Sequence, residues 1–133
     1  MRRYLIILLT LITAAIHAYF YFSEGQGFVF SGPFIIFTFF LLNAIGYLGL
    51  LGLLYLPLGL PDSLHRLVRP VLIAFTAITF LLYFIINLMP GGVWSWPLAP
   101  LAKLDEAILI WQLWAEGKAE MPASVQQKSD AML

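Results

Sequence analysis

Residues 33–56 read PFIIFTFFLLNAIGYLGLLGLLYL. A helix needs about 20 apolar residues to cross a hydrocarbon core about 30 Å thick, and this stretch supplies them with one strongly polar side chain, Asn43. Backbone groups in lipid have no water to bond, so such a run closes its hydrogen bonds internally as a helix. A strand reading fails on length, because buried strands run about 4–8 residues. Three further stretches follow the same logic. Residues 4–22 are interrupted only by threonines and His17. Residues 70–89 carry Asn87 near their end. Residues 98–114 are the most polar of the four, with Lys103, Asp105 and Glu106. The expected fold is therefore all-α: a polytopic membrane protein with four transmembrane helices in an up-down bundle. Residues 1–116 form the transmembrane domain and 117–133 a polar tail.

Composition agrees with that reading. The 133 residues are 62% hydrophobic and 11% charged, against about 25% charged in soluble domains. So few charges cannot coat a soluble globule, which excludes a free cytosolic enzyme and a disordered regulator. Seven basic residues balance seven acidic ones, so there is no electrostatic footprint for nucleic acid. The absence of cysteine removes disulfides, thiolate metal sites and a cysteine nucleophile.

The connections read as loops at 23–32 (SEGQGFVFSG), at 57–69 (PLGLPDSLHRLVR) and at 90–97 (PGGVWSWP). In the second, Asp62 or Ser63 can cap a short interfacial turn. With the N-terminus inside, Arg2, Arg3, Arg66, Arg69, Lys118 and Lys128 all fall inside and the outer loops hold no Lys or Arg. The positive-inside rule then places both termini in the cytoplasm of a multi-pass cell-membrane protein. Trp94 and Trp96 would mark the outer interface, Trp111 and Trp114 the inner one. A signal-peptide reading of the first segment competes, but its apolar run continues past Ala18 through Tyr19, Phe20, Tyr21 and Phe22. That is longer than the 7–15 residues typical of a cleaved leader, so an uncleaved helix is expected.

An ionisable side chain inside a membrane is a functional-site hypothesis. At a rise of 1.5 Å per residue, His17 lies about 20 Å above the inner edge, Lys103 about 16 Å and Glu106 about 12 Å. These three are expected in one layer, joined by Asn87 and with Asn43 nearer the midplane. Lys103 and Glu106 are spaced i,i+3 and can pair. Asp105 projects about 200° from Lys103, towards the side of Gln112 and Glu116. Two readings of this layer stay open. In one, the polar groups merely glue helices together, the acids sit in early turns where the helix dipole favours them, and Lys103 snorkels outward. In the other, His17 is a ligand or proton carrier. Haem bis-ligation within one chain is disfavoured because His65 lies in the inner loop, and it would need a second chain's ligand. A three-ligand metal site of His17, Asp105 and Glu106 is opposed by the divergence of the two acids, so no metal is expected.

His65, Arg66 and Arg69 form a small basic patch expected to face lipid headgroups. Gly46, Gly49 and Gly52 form a small-residue face expected to pack tightly within the bundle, the alternative being a helix-dimer or subunit-docking face, with Gly49 at its centre. Phe34, Phe37, Phe39 and Phe40 offer an aromatic surface to lipid, a carotenoid, a quinone tail or a partner helix, and Phe37 is expected to face lipid. There is no internal repeat, no phosphate-binding loop and no Ser-His-Asp set at one depth. The function expected is thus a non-enzymatic integral membrane protein: an accessory or structural subunit of a larger membrane complex, or a self-associating one. The alternative is a small-ligand protein holding haem, quinone or pigment with His17 and aromatic walls. Passage of protons or small solutes through the polar layer is a weaker third idea, since four helices leave little room for a pore.

The order of these features resembles a family of small, uncharacterised four-helix membrane proteins of prokaryotes. The resemblance rests on Ile16-His17, on Leu42-Asn43-Ala44-Ile45-Gly46-Tyr47, on Thr76, Tyr83 and Phe84, and on Lys103-x-x-Glu106 followed by Ala107-Ile108-Leu109-Ile110. It covers about residues 4–114 and leaves the tail outside. It implies no activity, only that His17, Asn43, Lys103 and Glu106 share a common interior.

Overall fold

A computed structural model of the chain describes residues 1–24, 35–88 and 97–120, with the side chains of 24 and 35–37 left aside. These residues form four helices: α1 (Arg2–Glu24), α2 (Ile35–Tyr55), α3 (Asp62–Leu88) and α4 (Leu98–Glu120). There is no strand among the described residues. Over 2–23, 38–55 and 62–88, α1, α2 and α3 are long and apolar enough to cross a membrane. α4 matches α1 in length but carries Lys103, Asp105 and Glu106, and it turns all three inward.

Each boundary has a local cause. Pro57 cannot continue α2 and biases Leu56 away from helical geometry. The link 56–61 then turns through Gly59, whose φ of 67° suits a residue without a Cβ. The Pro61 carbonyl accepts the amides of Leu64 and His65, both at 3.0 Å, and Asp62 sits in the first turn, where the dipole favours an acid. Pro97 and Pro100 sit at the start of α4, where a missing N–H costs nothing.

α1 packs on α2, α2 on α3, α3 on α4, and α4 closes the ring onto α1. Hydrogen bonds at one end fix the directions. Arg2, at the start of α1, donates to the carbonyl of Ala115 near the end of α4 at 3.0 Å. Arg3 donates to the carbonyl of Tyr55, the last residue of α2, at 3.2 Å. Arg69, early in α3, donates to Glu116 and Glu120 late in α4. Starts of α1 and α3 thus meet ends of α2 and α4, which is up-down order. Next to this end lies the apolar core of Ile6, Leu9, Leu54, Val68, Leu72, Leu109 and Leu113.

Two helices are longer than the sequence suggests. α3 begins at Asp62, not 70, and runs through Pro70, although that ring leaves the Arg66 carbonyl without its helical donor. α4 continues to Glu120, so its last turns replace the start of the expected tail. Both extensions are tied down by the same ion pairs. Arg69 meets Glu120 at 2.8 Å and Glu116 at 3.2 Å, and Glu116 also accepts the Tyr55 hydroxyl at 2.8 Å. The expected headgroup patch is therefore largely used internally. Arg69 pairs with α4, His65 Nε2 lies 3.1 Å from the Leu54 carbonyl, and Arg66 alone of the three is exposed without such a contact among the described residues.

The glycine face is corrected as well. A Cβ at Gly46 would lie 2.6 Å from Phe75 Cζ, so Gly46 is the point where α2 and α3 close up. A Cβ at Gly49 would meet nothing within 4 Å, and one at Gly52 only Leu56 of its own helix at 3.6 Å. Steps of three residues rotate about 60° each around a helix, so the three glycines cannot share one contact line. Gly46→Val is expected to destabilise the isolated protein by about 1–3 kcal/mol through overpacking against Phe75. Gly49→Val should leave it unchanged, and thermal unfolding of the two variants in detergent compares them directly.

Candidate functional site

The interior of the bundle buries a set of polar and charged side chains beside its apolar core. Thr10, Thr13 and His17 of α1, Thr38 and Tyr47 of α2, Thr76, Thr79 and Asn87 of α3, and Lys103, Asp105 and Glu106 of α4 are all buried. Leu8, Leu11, Phe39, Ile45, Leu48, Ile78, Leu81, Ile85, Leu101 and Leu104 are exposed. On α1 the buried residues Ile6, Leu9, Thr10, Thr13, Ala14, His17 and Tyr21 follow the three-four spacing of one helical face. Threonines therefore stand on the same stripe as the core residues.

The charges of α4 meet that stripe. Glu106 is 0% exposed, His17 3%, Asp105 8% and Lys103 9%. Lys103 Nζ donates to Glu106 Oε2 at 2.6 Å, and His17 Nε2 lies 3.8 Å from Glu106 Oε1. The depth arithmetic thus brings the three residues together as expected. Lys103 also rests 5.1 Å from the Tyr83 ring centre and 6.0 Å from that of Phe80, a cation–π seat that orients the ammonium from α3. The His17 ring lies 5.8 Å from Phe40 and 5.7 Å from Tyr47. Of the phenylalanines expected on the lipid side, Phe40 is thus half inside, Phe39 is exposed, Phe34 lies outside the described residues, and the side chain of Phe37 is likewise not described.

Asp105 is the residue whose surroundings the sequence reading misjudged. It lies on the Gln112 side of α4 as its spacing requires, but that side is buried there, and Asp105 accepts a hydrogen bond from the Thr13 hydroxyl. The buried stripe of α4 is Ala99, Ala102, Glu106, Leu109 and Leu113. Measured from Glu106 at its centre, Lys103 and Asp105 sit about 60° and 100° to either side, so both can reach inward. Thr13 and Tyr47 were also missed. The threonine spacing on α1 was the available signal; Tyr47 had none, being one aromatic among many. Asn87 is buried and donates to the Tyr83 carbonyl at 2.8 Å. Asn43 is half-buried, and no hydrogen bond among the described residues joins it to the charged layer.

Most donors in this interior are spent on the helices' own backbones. Thr10 donates to Ile6, Thr76 to Leu72, Thr79 to Phe75 and Asn87 to Tyr83, each to the carbonyl four residues back. His17 Nδ1 lies 2.8 Å from the Thr13 carbonyl. A carbonyl only accepts, so Nδ1 carries the hydrogen and Nε2 of a neutral ring is left as an acceptor. Among the described residues, Glu106 Oε1 and Asn87 Oδ1 are buried with no donor, and the Tyr47 hydroxyl lies beside Thr76 and Thr79 without a hydrogen bond of good geometry. Tyr47→Phe is consequently expected to be neutral or slightly stabilising, because it removes a buried polar group that lacks a well-formed hydrogen bond. A loss of more than about 1 kcal/mol in unfolding would show that the hydroxyl is satisfied.

A haem at His17 does not fit this packing. Iron would have to bind at Nε2, where Glu106 stands 3.8 Å away and the ring faces are taken by Phe40 and Tyr47. No group of three metal-ligating side chains comes together among the described residues. No protein-family model, curated protein or solved structure matches the chain.

Proposed function

We propose that this chain is an integral membrane protein that crosses the bilayer four times, keeps both termini in the cytoplasm and serves, without catalysis of its own, as a subunit of a larger membrane assembly. One observation carries the membrane reading: charged and hydroxyl side chains are buried in the interior beside the apolar core, while large apolar side chains cover the outside. Lipid is the surrounding in which that arrangement is stable, because intramembrane charges turn towards the bundle and pair there. The orientation is supported by charge. Arg2, Arg3, Arg66, Arg69 and Lys118 gather at the end of the bundle that holds the start of α1, and Lys128 follows in the chain. Basic residues mark the cytoplasmic side. Cysteines placed at 63 and 129 should resist an impermeant reagent applied to intact cells, while one placed at 95 should react. The reverse pattern overturns the orientation.

Two features of the outer surface support a subunit role. Gly49 leaves a notch in α2 where a Cβ would meet nothing, and small residues let a second helix approach closely in lipid. On α4, Ala107, Ile110, Trp111 and Trp114 line a shallow apolar groove. A transmembrane helix of a partner subunit, or of a second copy, fits a surface of this kind. Native mass spectrometry from membranes in mild detergent tests the reading. A stoichiometric partner or oligomer is expected, and Gly49→Leu should reduce the complex without lowering the stability of the isolated chain. A clean monomer would sink the subunit role, and a co-purifying quinone or carotenoid would favour the ligand-binding alternative.

A further inference from the structure

We propose that the bundle interior binds one exchangeable proton, shared between His17 Nε2 on α1 and Glu106 Oε1 on α4. Two independent observations lead there. The first is hydrogen-bond direction. His17 Nδ1 donates to the Thr13 carbonyl, which leaves Nε2 a lone pair, and Glu106 Oε2 is already engaged by Lys103, which leaves Oε1 bare. Two acceptors then face each other across 3.8 Å in a site that is 4% exposed on one side and 0% on the other. At 3.8 Å no hydrogen bond joins them, but a buried acceptor left without a donor is costly, and a proton on either atom gives the other a donor that faces it.

The second observation is the charge count. The buried layer contains Lys103 as its cation and Asp105 and Glu106 as its acids. With both acids ionised and His17 neutral it carries one net negative charge, and uncompensated charge is what an apolar interior tolerates least. One added proton brings the layer to neutrality. Among the described residues, the fully buried carboxylate and amide oxygens without a hydrogen-bond partner are Glu106 Oε1 and Asn87 Oδ1, and of these two Glu106 Oε1 faces a second acceptor. The proton comes from bulk water and forms an N–H or O–H bond at one of the two atoms; no other bond changes. The groups that face it are Thr13 and His17 from α1, Tyr47 from α2, Thr76, Thr79 and Tyr83 from α3, and Lys103 and Asp105 from α4. Of these, Lys103 opposes an added proton electrostatically, and Asp105 favours it.

The full chain in lipid nanodiscs, labelled with ¹⁵N-histidine, tests the proposal. A His65→Gln background leaves His17 as the sole histidine. Nitrogen NMR reports whether Nε2 bears a hydrogen, and infrared spectroscopy reports a protonated carboxyl group. At neutral pH one of the two signals is expected, amounting to one proton per chain and lost in a single step as pH rises. In Glu106→Gln the amide can donate to Nε2, so the signal should vanish and His17 should remain the neutral Nδ1–H form throughout. A neutral His17 beside fully ionised carboxylates in the unsubstituted site would overturn the proposal, since water would then bridge two bare acceptors. So would a carboxyl signal that survives Glu106→Gln, which would place the proton on Asp105. The measurement on the unsubstituted site decides the matter even where the variant fails to fold.

Discussion

Glu106→Ala is expected to destabilise the bundle by about 3–5 kcal/mol, the cost of stranding one member of a buried ion pair. Lys103, only 9% exposed, loses its 2.6 Å partner. The cation–π seat on Tyr83 and Phe80 offsets only a part, about 0.5–2 kcal/mol. Glu106→Gln should cost less, because the amide oxygen can still accept from Lys103. Unfolding in mixed micelles, followed by near-ultraviolet circular dichroism, measures both. Equal stability of Glu106→Ala and the parent would mean that water reaches the pair or that Lys103 escapes to the surface.

The second large effect is one of sign. Lys103→Met alone strands Glu106 beside Asp105 and should be strongly destabilising, by an amount of the same order. Combining it with Glu106→Leu should recover most of that loss. Replacing a buried ion pair by apolar side chains of similar volume is often neutral or favourable, since neither charge then needs desolvation. The cycle of the two single variants and the double variant should show a coupling of at least about 2 kcal/mol, towards the upper end for contacting residues. Additive losses would mean that the two side chains act separately, contrary to the contact between them.

What could be read from the sequence follows from what is local. Three long apolar runs and a fourth, shorter and more polar one announce four helices, of which three are long and apolar enough for a crossing. Rise per residue alone places His17, Lys103 and Glu106 at one height. What is lost is decided by partners far away in the chain. Asp62 to Arg69 look like a loop because they are polar and end at a proline. They form helix because Arg69 finds Glu116 and Glu120, and no local pattern shows that pairing. The same contacts carry α4 through residues that read as tail. Asp105 was misjudged because its direction was measured from Lys103. The stripe of Ala99, Ala102, Glu106, Leu109 and Leu113 was the proper reference, and it places both residues on the flanks of one buried face. The glycines show the opposite error: a regular spacing suggested a common contact, but a step of three residues turns only Gly46 towards α3.

The inward-facing charged layer is the centre of this picture, and solid-state NMR in lipid bilayers probes it most directly. With ¹⁵N on the His17 ring and ¹³C on the Glu106 carboxyl, magnetisation should pass between them, as expected for Nε2 and Oε1 separated by 3.8 Å. The His17 ring should at the same time show no transfer from lipid acyl chains. Acyl-chain contact at His17 with no transfer to Glu106 would contradict the arrangement of α1 against α4, and with it the shared interior.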